Sequence, residues 1–200
     1  MLAFDTLDEF AAILAEIDAA CIAQGVPAGA ATAEYGGAQF EVNLANLDDP
    51  VLACDHALML RRIVKGVAAK HGLEATFMSK PFGDQSGSGL HIHASLIDAA
   101  GRNVFDETTP DGDRMLGHAI AGLQATTYDA MGFFAPNINA YRRFAANQFV
   151  PVNTSWGINN RSTGLRVPAG DAAATRIEHR VSGADANPYL VLSAILAGIK

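Results

Sequence analysis

Residues Gly83–Leu96 read GDQSGSGLHIHASL, and the change of pattern inside this stretch predicts a flexible loop that leads into a half-buried strand. The first half is rich in glycine and serine, so its backbone can come close to a ligand. In the second half apolar and polar residues alternate, which is typical of a strand with one face in the core and one in solvent. The solvent face carries His91, His93 and Ser95. Histidines two apart on a strand stand side by side, so one cation or one phosphate could contact both.

The His91-x-His93 pattern alone leaves three interpretations open. The simplest is a polar strand face with two surface histidines. A hydrolase that uses the two imidazoles as a metal pair is the second, although the chain offers no further set of histidine and aspartate at suitable spacing. A site for a cation or a phosphate is the third, and the other segments of the chain are needed to choose between them.

The composition favours a globular protein with a small anionic ligand. Of the 200 residues, 50% are apolar and 18% are charged, and the formal net charge of −7 argues against nucleic acid or an anionic membrane as a partner. Within this acidic chain, six of the ten arginines fall between Arg142 and Arg180. This local excess of positive charge predicts an anionic ligand, whereas arginines scattered over a solvated face are the alternative.

Cysteine usage and hydropathy indicate the compartment and the surroundings of the chain. Cys21 and Cys54 form no metal or redox motif, and no signal peptide or apolar run of membrane length is visible. We therefore expect a cytoplasmic protein with free thiols and no membrane partner. The mean hydropathy of +0.14 predicts that part of the surface is covered by other subunits or segments.

Helical and strand patterns are interspersed along the chain. Helices are predicted at 6–25, which begins with the capping box Thr6-Leu7-Asp8-Glu9, at 50–71, at 113–131, and from Pro188 to a still apolar end at Lys200. Strands are predicted in the second half of 33–44 and at 74–81, 90–96 and 176–181. A turn rich in proline, glycine and alanine is predicted before Ala33, a hairpin turn at 99–103, and binding loops at 133–168.

Two glutamates flank a glycine pair in the segment AEYGGAQFEVNL (33–44). Glu34 precedes Glu41 by seven residues, and the break at Gly36-Gly37 could bring both carboxylates to one place. Two such charges ~5 Å apart repel by about 3 kcal/mol at an effective dielectric of 20, so a site that holds both needs a cation. Exposed strand glutamates are the alternative.

A second group of charges alternates along Arg176-Ile177-Glu178-His179-Arg180. As a strand, this segment places Arg176, Glu178 and Arg180 on one face and Ile177 and His179 on the other. A carboxylate between two guanidiniums is a common ion-pair arrangement, so a purely structural role is the alternative to a ligand site.

Taken together, these segments resemble the catalytic domain of the glutamine synthetase family from about Glu34 to Ile199. The resemblance rests on four motifs in the family's order: EYGGAQFE (34–41), KPFGDQSGSGLHIHAS (80–95), NRSTGLRVP (160–168) and RIEHR (176–180). It implies an α+β fold, in which an antiparallel sheet carries metal and phosphate ligands on one face and helices cover its back. It also implies an ATP-dependent ligase that joins the γ-carboxyl of glutamate to an amine through a γ-glutamyl phosphate, with Mg²⁺ or Mn²⁺. Oxygen-rich sites with one imidazole suit these cations, and phosphoryl transfer needs mainly positioning and positive charge.

Carried over by position, the resemblance assigns a role to each motif residue. A first divalent metal is expected at Glu34 and Glu41, and a second at His91 and Glu178. The nucleotide is expected along His93 and Ser95, with its phosphates at Arg166 and Arg176. Glutamate is expected at Gly87, Arg143, Arg161 and Arg180, and these three arginines are the expected catalytic residues.

Two departures from the family pattern point to an organic amine as acceptor. Members that use ammonia carry a glutamate six residues after the position of Arg143, where this chain has Phe149, and a phenyl ring can neither bind ammonium by charge nor take its proton. The asparagine expected before Gly87 is Ser86. Both changes resemble the branch that makes γ-glutamyl amides of putrescine and polyamines. Phe149 and Trp156 could accommodate an alkylamine chain, or both could simply pack the loop.

The resemblance also sets expectations for the whole protein. Residues 1–200 are expected to be a partial catalytic domain, without the family's N-terminal β-grasp domain and its C-terminal end, and with little turnover alone. The full-length protein is expected to form a ring-shaped homo-oligomer. An ordinary glutamine synthetase that uses ammonia, and a non-catalytic family member with a structural or regulatory role, remain the alternatives.

Overall fold

The computed structural model describes residues 4–146 and 148–199, and for residues 4–6 only the backbone. The chain forms two compact units, Met1–Phe77 with Pro81–Gly87, and Met78–Lys80 with Ser88–Lys200. The helices are α1 (Phe4–Glu9), α2 (Ala11–Ala23), α3 (Pro50–Lys70), α4 (Gly112–Thr126), α5 (Met131–Phe134), α6 (Ile138–Tyr141) and α7 (Pro188–Gly198), with a 3-10 helix at Ala172–Ala174. The strands are β1 (Ala28–Ala33), β2 (Phe40–Leu44), β3 (Ile92–Ala94), β4 (Trp156–Ile158), β5 (Leu165–Val167) and β6 (Ile177–His179).

In the first unit, an antiparallel hairpin of β1 and β2 is covered by helices. Strand residues Val42 and Leu44 pack against a core of apolar residues from α2, α3 and the loop after α2. These core residues are Ile17, Cys21, Val26, Leu60, Ile63 and Val67. The predicted start of α3 is confirmed, because Asp49 Oδ1 accepts hydrogen bonds from Val51 N (2.9 Å) and Leu52 N (3.0 Å), ahead of a helix that begins at proline.

Three predictions for this part of the chain are wrong. The first helix is divided at Phe10, whose ring instead packs edge-on against Phe40 at 5.4 Å; the side chain of the capping-box residue Thr6 lies outside the described residues. The turn predicted before Ala33 is strand β1, because pairing with β2 supplies the order that its small residues do not signal. No strand forms at 74–81, where the Lys80 amide donates to Asn139 Oδ1 (2.9 Å) rather than to a neighbouring strand.

The second unit contains a four-stranded sheet in the order β3-β6-β5-β4. The β3–β6 and β6–β5 pairs are antiparallel, whereas β4 runs parallel to β5. Helices α4 and α7 cover one face of this sheet, and their side chains share one core with the inward residues of β5 and β6: Ala119, Ile120, Leu123, Leu165, Val167, Ile177, Val191 and Ile195. The α+β prediction is therefore confirmed, with one parallel strand pair added.

Boundaries in the second unit differ from the predictions. The strand predicted at 90–96 is regular only over β3, although the Leu90 amide still donates to Ser182 O (2.9 Å). The helix predicted to run to Met131 ends at Thr126, and a separate short helix follows. The last helix begins after Asn187, whose side chain accepts from two helix amides, and Lys200 lies outside the described residues. Within the described residues, no helix has the length and apolarity needed to cross a bilayer.

Candidate functional site

A row of polar residues crosses the second-unit sheet on the face away from the core. The register pairs His93 with Glu178 and Glu178 with Arg166, so these three side chains lie on the same face. Their strand neighbours Ile177 and His179 are buried on the opposite face. The alternation predicted for both strands is thus confirmed.

Glu178 is the centre of this row. Its side chain is 4% exposed, and Oε2 accepts from Arg166 Nη1 at 2.7 Å while Oε1 accepts from Arg180 Nη1. Burial alone raises the pKa of the Glu178 carboxyl, but the hydrogen bond from Arg166 and the charge of Arg180 outweigh it and hold the pKa below its usual range. The carboxylate is therefore charged at neutral pH and compensated by two guanidiniums.

His91 lies beside the same carboxylate. Its Nδ1 is 3.5 Å from Glu178 Oε1 and 3.5 Å from Arg180 Nη1. Burial, followed by the charge of Arg180, lowers the pKa of His91 to about 3. The imidazole is therefore neutral at pH 7, which is the form that ligates metal ions.

His93 and Arg176 form a second contact on this face. Arg176 Nε donates to His93 Nδ1 at 3.1 Å, and Arg176 Nη1 donates to Ala174 O at 3.1 Å. Because Nδ1 accepts, the neutral ring carries its proton on Nε2. Ser95 follows β3 by one residue, is exposed, and shares the alternation of His93.

Arg143 and Arg161 differ sharply in their surroundings. Arg143 is 2% exposed, and it donates to Val181 O (2.7 Å) and Arg180 O (2.9 Å). Burial and the charge of Arg180 lower the pKa of Arg143 to about 10, so it stays cationic at pH 7. Gly89 leaves room for this arrangement, because a Cβ there would lie 3.0 Å from Arg143 Nη2. Arg161, in contrast, is exposed in a turn.

The backbone of Phe149 contacts Arg180, one of the two arginines that bind Glu178. Its carbonyl accepts from Arg180 Nη2 at 3.2 Å, and its side chain is 49% exposed. Its φ of +51° is unusual for a bulky side chain, and such strain is concentrated at ligand sites. Trp156, in contrast, pairs with Leu165, so the register puts it on the face of the sheet opposite Glu178.

The two first-unit glutamates share one face of the hairpin. The Glu34 amide donates to Gln39 O at 2.8 Å, which continues the ladder in which Thr32 pairs with Glu41. Glu34 and Glu41 are therefore diagonal neighbours on that face. Glu41 Oε1 accepts from Asn43 Nδ2 at 3.1 Å.

Gly87 belongs to the same unit as this hairpin. Its carbonyl accepts a hydrogen bond from Gln39 Nε2 at 3.1 Å. The Gln39 side chain therefore attaches the glycine-rich segment to the hairpin that carries Glu41.

The residues predicted to bind metal form two pairs, and each pair offers two ligands to a divalent cation. His91 with Glu178 supplies one imidazole and one carboxylate, and Glu34 with Glu41 supplies two carboxylates, which are ligands that Mg²⁺ and Mn²⁺ accept. Across residues 4–146 and 148–199, no group of three or more His, Cys, Asp or Glu side chains is arranged to hold a metal ion. Water and phosphate oxygens are the usual remaining ligands of Mg²⁺.

One contact of the cluster was missed in the sequence. Asn159 Oδ1 accepts from Arg166 Nη2, which fixes the guanidinium that binds Glu178. Asn159 has a φ of +50°, a conformation that asparagine adopts more readily than most residues. The Asn159-Asn160 pair before Arg161 was the available signal.

Comparison with known proteins identifies the family of the chain. The sequence profile of the family described as "Glutamine synthetase, catalytic domain" matches residues 1–200. The chain is 46% identical to gamma-glutamylputrescine synthetase PuuA of Escherichia coli K12 over 98% of its own length and 41% of that protein. It is 39% identical to glutamate–isopropylamine ligase of a Pseudomonas species, over 88% of the chain and 39% of that protein.

A solved structure described as a GmaS/ADP complex superposes with a TM-score of 0.84 at 33% identity, over 99% of this chain and 47% of that one. The chain therefore spans about two fifths of the length of these curated relatives and about half of that structure. On the family match and these relatives, the chain belongs to the glutamine synthetase family and corresponds to its catalytic domain.

Proposed function

We propose that the chain acts in an ATP-dependent ligase that joins the γ-carboxyl of glutamate to an organic amine. One observation carries this proposal: Arg166 and Arg180 bind Glu178 on the sheet face that also bears His91 and His93. Phosphoryl transfer from ATP to a carboxylate requires little covalent help from a protein, but it requires fixed positive charge around the transferred group. Guanidiniums held beside a buried carboxylate are a source of that charge.

The reaction has two steps in this proposal. The γ-carboxylate of glutamate attacks the γ-phosphorus of ATP, which releases ADP and gives an acyl phosphate. The amine nitrogen then attacks the acyl carbon, loses a proton and expels inorganic phosphate. The family resemblance assigns Arg143, Arg161, Arg180 and Gly87 to glutamate and the transferred group. It assigns Arg166 and Arg176 to the ATP phosphates, and His93 and Ser95 to the rest of the nucleotide.

Two divalent cations, Mg²⁺ or Mn²⁺, complete the proposal. Glu34 and Glu41 would hold one, and His91 and Glu178 would hold the other; each cation would supply Lewis-acid stabilisation of phosphate oxygens when bound. Both oxygens of Glu178 accept from guanidiniums, so Glu178 would give up at least one of these hydrogen bonds if it held a cation. The guanidinium that lost its acceptor would then be available to an anionic ligand. Arg166 Nε and Arg180 Nε, buried and without a hydrogen-bond acceptor among the described residues, show that the cluster has unused donors.

Phe149 supports an organic amine rather than ammonia. The backbone bond from Arg180 fixes this residue at the edge of the cluster, where a phenyl ring offers an apolar surface for an alkyl chain and no base for ammonium. Three relatives are named for organic amine products or substrates: the putrescine and isopropylamine enzymes above, and gamma-glutamylethanolamide synthetase GlnA4 of Streptomyces coelicolor, 35% identical over 86% of the chain and 37% of that protein.

We place this activity in a protein of the relatives' length, since the chain covers 41% of the E. coli relative. A chimera tests it: residues 1–200 replace the matching part of that relative, and phosphate release is measured with ATP, glutamate and Mg²⁺. We expect turnover with putrescine, isopropylamine or ethanolamine well above turnover with ammonia. A chimera that is folded and assembled as a ring but releases no phosphate with any acceptor would favour the non-catalytic alternative.

The second candidate is a glutamine synthetase that uses ammonia. It is favoured by the 38% identity to the glutamine synthetase of Thermococcus kodakarensis over 82% of the chain and 36% of that protein. In the chimera, Phe149→Glu should shift preference toward ammonia, whereas Phe133→Glu, at a similarly exposed phenylalanine outside the cluster, should not. Equal use of ammonia and organic amines by the unmutated chimera would support this second candidate.

A further inference from the structure

The tip of the β1–β2 hairpin and the glycine-rich segment are connected by two glutamine side chains. Gln39 Nε2 donates to Gly87 O at 3.1 Å, and Gln85 Oε1 accepts from Gly37 N at 3.2 Å. The two bonds run in the same direction, because the hairpin donates through Gln39 and Gly37 while the segment accepts through Gly87 and Gln85. Both bonds span 48 residues of sequence, so they are tertiary contacts and not part of a local turn.

Gln39 is itself fixed by the hairpin. Its Oε1 accepts from Gly36 N at 2.9 Å, so both ends of the side-chain amide are used. Gly36 lies so close that a Cβ there would be 2.8 Å from Gln39 Oε1 and 3.2 Å from Gln39 Cβ. A side chain at this position would push Gln39 away, so Gly36 permits the close approach, and hydrogen bonds at both ends orient the Gln39 amide.

The same strand face carries the carboxylates proposed as metal ligands. Gln39 precedes Glu41 by two residues, and its backbone carbonyl accepts from the Glu34 amide at 2.8 Å. Gln39 thus shares a face with both glutamates while its side chain reaches the backbone of Gly87.

We propose that Gln39 is a positioning residue, which fixes Gly87 relative to Glu34 and Glu41, and that Gln85 is its second arm. The proposal rests on the proposed function, in which Gly87 lies against the substrate glutamate. A glycine segment whose backbone approaches a ligand gains affinity when it is ordered in advance, because the ordering cost is not taken from the binding free energy. Loss of the Gln39 amide should therefore weaken glutamate binding more than ATP binding.

The contacts themselves can be tested by NMR on the 200-residue chain. In Gln39→Met the carbonyl ¹³C shift of Gly87 should change, and in Gln85→Met the Gly37 amide should exchange faster with solvent by about 2- to 10-fold, the value of one hydrogen bond. Gln24→Met, at an exposed glutamine on the C-cap of α2, is the matched control and should change neither signal. Unchanged Gly87 and Gly37 signals in the two variants would overturn the proposal.

The role in substrate binding is tested by kinetics in the chimera with the E. coli relative. Gln39→Met should raise the KM for glutamate about tenfold and the KM for ATP less than twofold, and Gln24→Met should raise neither. The double variant Gln39→Met/Gln85→Met should raise the glutamate KM by less than the product of the single effects, since both arms hold one segment. This split between substrates would not arise from a general loss of stability.

The possible failures are distinguishable. If the unmutated chimera turned over glutamate and Gln39→Met left both KM values unchanged, or raised them equally, the positioning role would be overturned while the proposed function stood. If the unmutated chimera showed no glutamate-dependent turnover, the proposed function would fall, and the role of Gln39 toward that substrate would fall with it.

Discussion

Replacing Glu178 with glutamine should lower the free energy of unfolding by about 3–5 kcal/mol, the usual cost of removing one partner from a buried ion pair. The side chains involved are 4% exposed for Glu178, 5% for Arg180 and 13% for Arg166, so solvent cannot replace the lost charge. Glutamine keeps the size and one acceptor oxygen of the original side chain. The loss therefore measures the charge that compensates the two guanidiniums.

Urea unfolding followed by Trp156 fluorescence measures this loss directly. Trp156 is the one tryptophan in the sequence and lies in β4, in the same sheet as Glu178. With an m-value of about 2 kcal/mol/M, the midpoint should fall by about 1.5–2.5 M. Glu74→Gln, at an exposed glutamate, should change the free energy by less than about 0.5 kcal/mol. A decrease in the free energy of unfolding below about 1 kcal/mol for Glu178→Gln would refute the idea that this carboxylate compensates the two guanidiniums. The idea would also be refuted if the double variant Glu178→Gln/Arg180→Met lost as much stability as the two single variants added together.

Three further predictions concern local features. Burial and the charge of Arg143 lower the pKa of His179 to about 3, so this side chain stays neutral in the folded chain, whereas the unfolded chain binds a proton below pH 6.5. The free energy of unfolding should therefore decrease as the pH is lowered from 6.5 to 3. In urea titrations, His179→Phe should reduce this slope by up to about 1.4 kcal/mol per pH unit. Gly112→Ala should lower the melting temperature by several degrees, because the added Cβ would clash with Asp106 O. Gly117→Ala in the same helix is the control. A Cβ at Gly117 would have no heavy atom within 4 Å, so this substitution should raise the free energy of unfolding by about 0.5–1 kcal/mol. Asp49→Ala should cost about 0.5–2 kcal/mol in the same assay, because two amides at the start of α3 lose their acceptor.

The sequence predicts faces better than it predicts boundaries. Alternation decides which side of a strand meets the core, whatever the strand's length, so Glu178 and His93 were placed on one face although β3 and β6 have three residues each. The start of α3 was equally predictable, because Asp49 and Pro50 act within one turn of the chain.

The errors concern features that depend on distant partners. Strand β1 consists of alanine, glycine and threonine, and only its pairing with β2 makes it a strand. The burial of Arg143 had no local signal, since its guanidinium is held by carbonyls 37 and 38 residues away. The family motifs gave an expected role to each site residue, whereas the bonds that hold Glu178 between two arginines required coordinates.

The hairpin glutamates offer a test that separates a ligand site from an ordinary strand face. Diagonal neighbours on a sheet are about 7 Å apart. At that distance two carboxylates repel by about 0.6 kcal/mol in water and about 1.2 kcal/mol at an effective dielectric of 40. If Glu34 and Glu41 were placed for a cation, Glu41→Gln should stabilise the chain by roughly this amount without divalent ions.

The same gain should disappear in millimolar Mg²⁺ or Mn²⁺, because the cation stabilises only the chain that carries both carboxylates. Thermal unfolding with EDTA and with each metal gives both comparisons, and Glu74→Gln controls for the loss of one negative charge. Unchanged stability of Glu41→Gln in EDTA, together with no metal effect on the unmutated chain, would make these residues exposed strand glutamates. A gain in EDTA that metal reverses would instead indicate that the repulsion is retained because a bound cation relieves it.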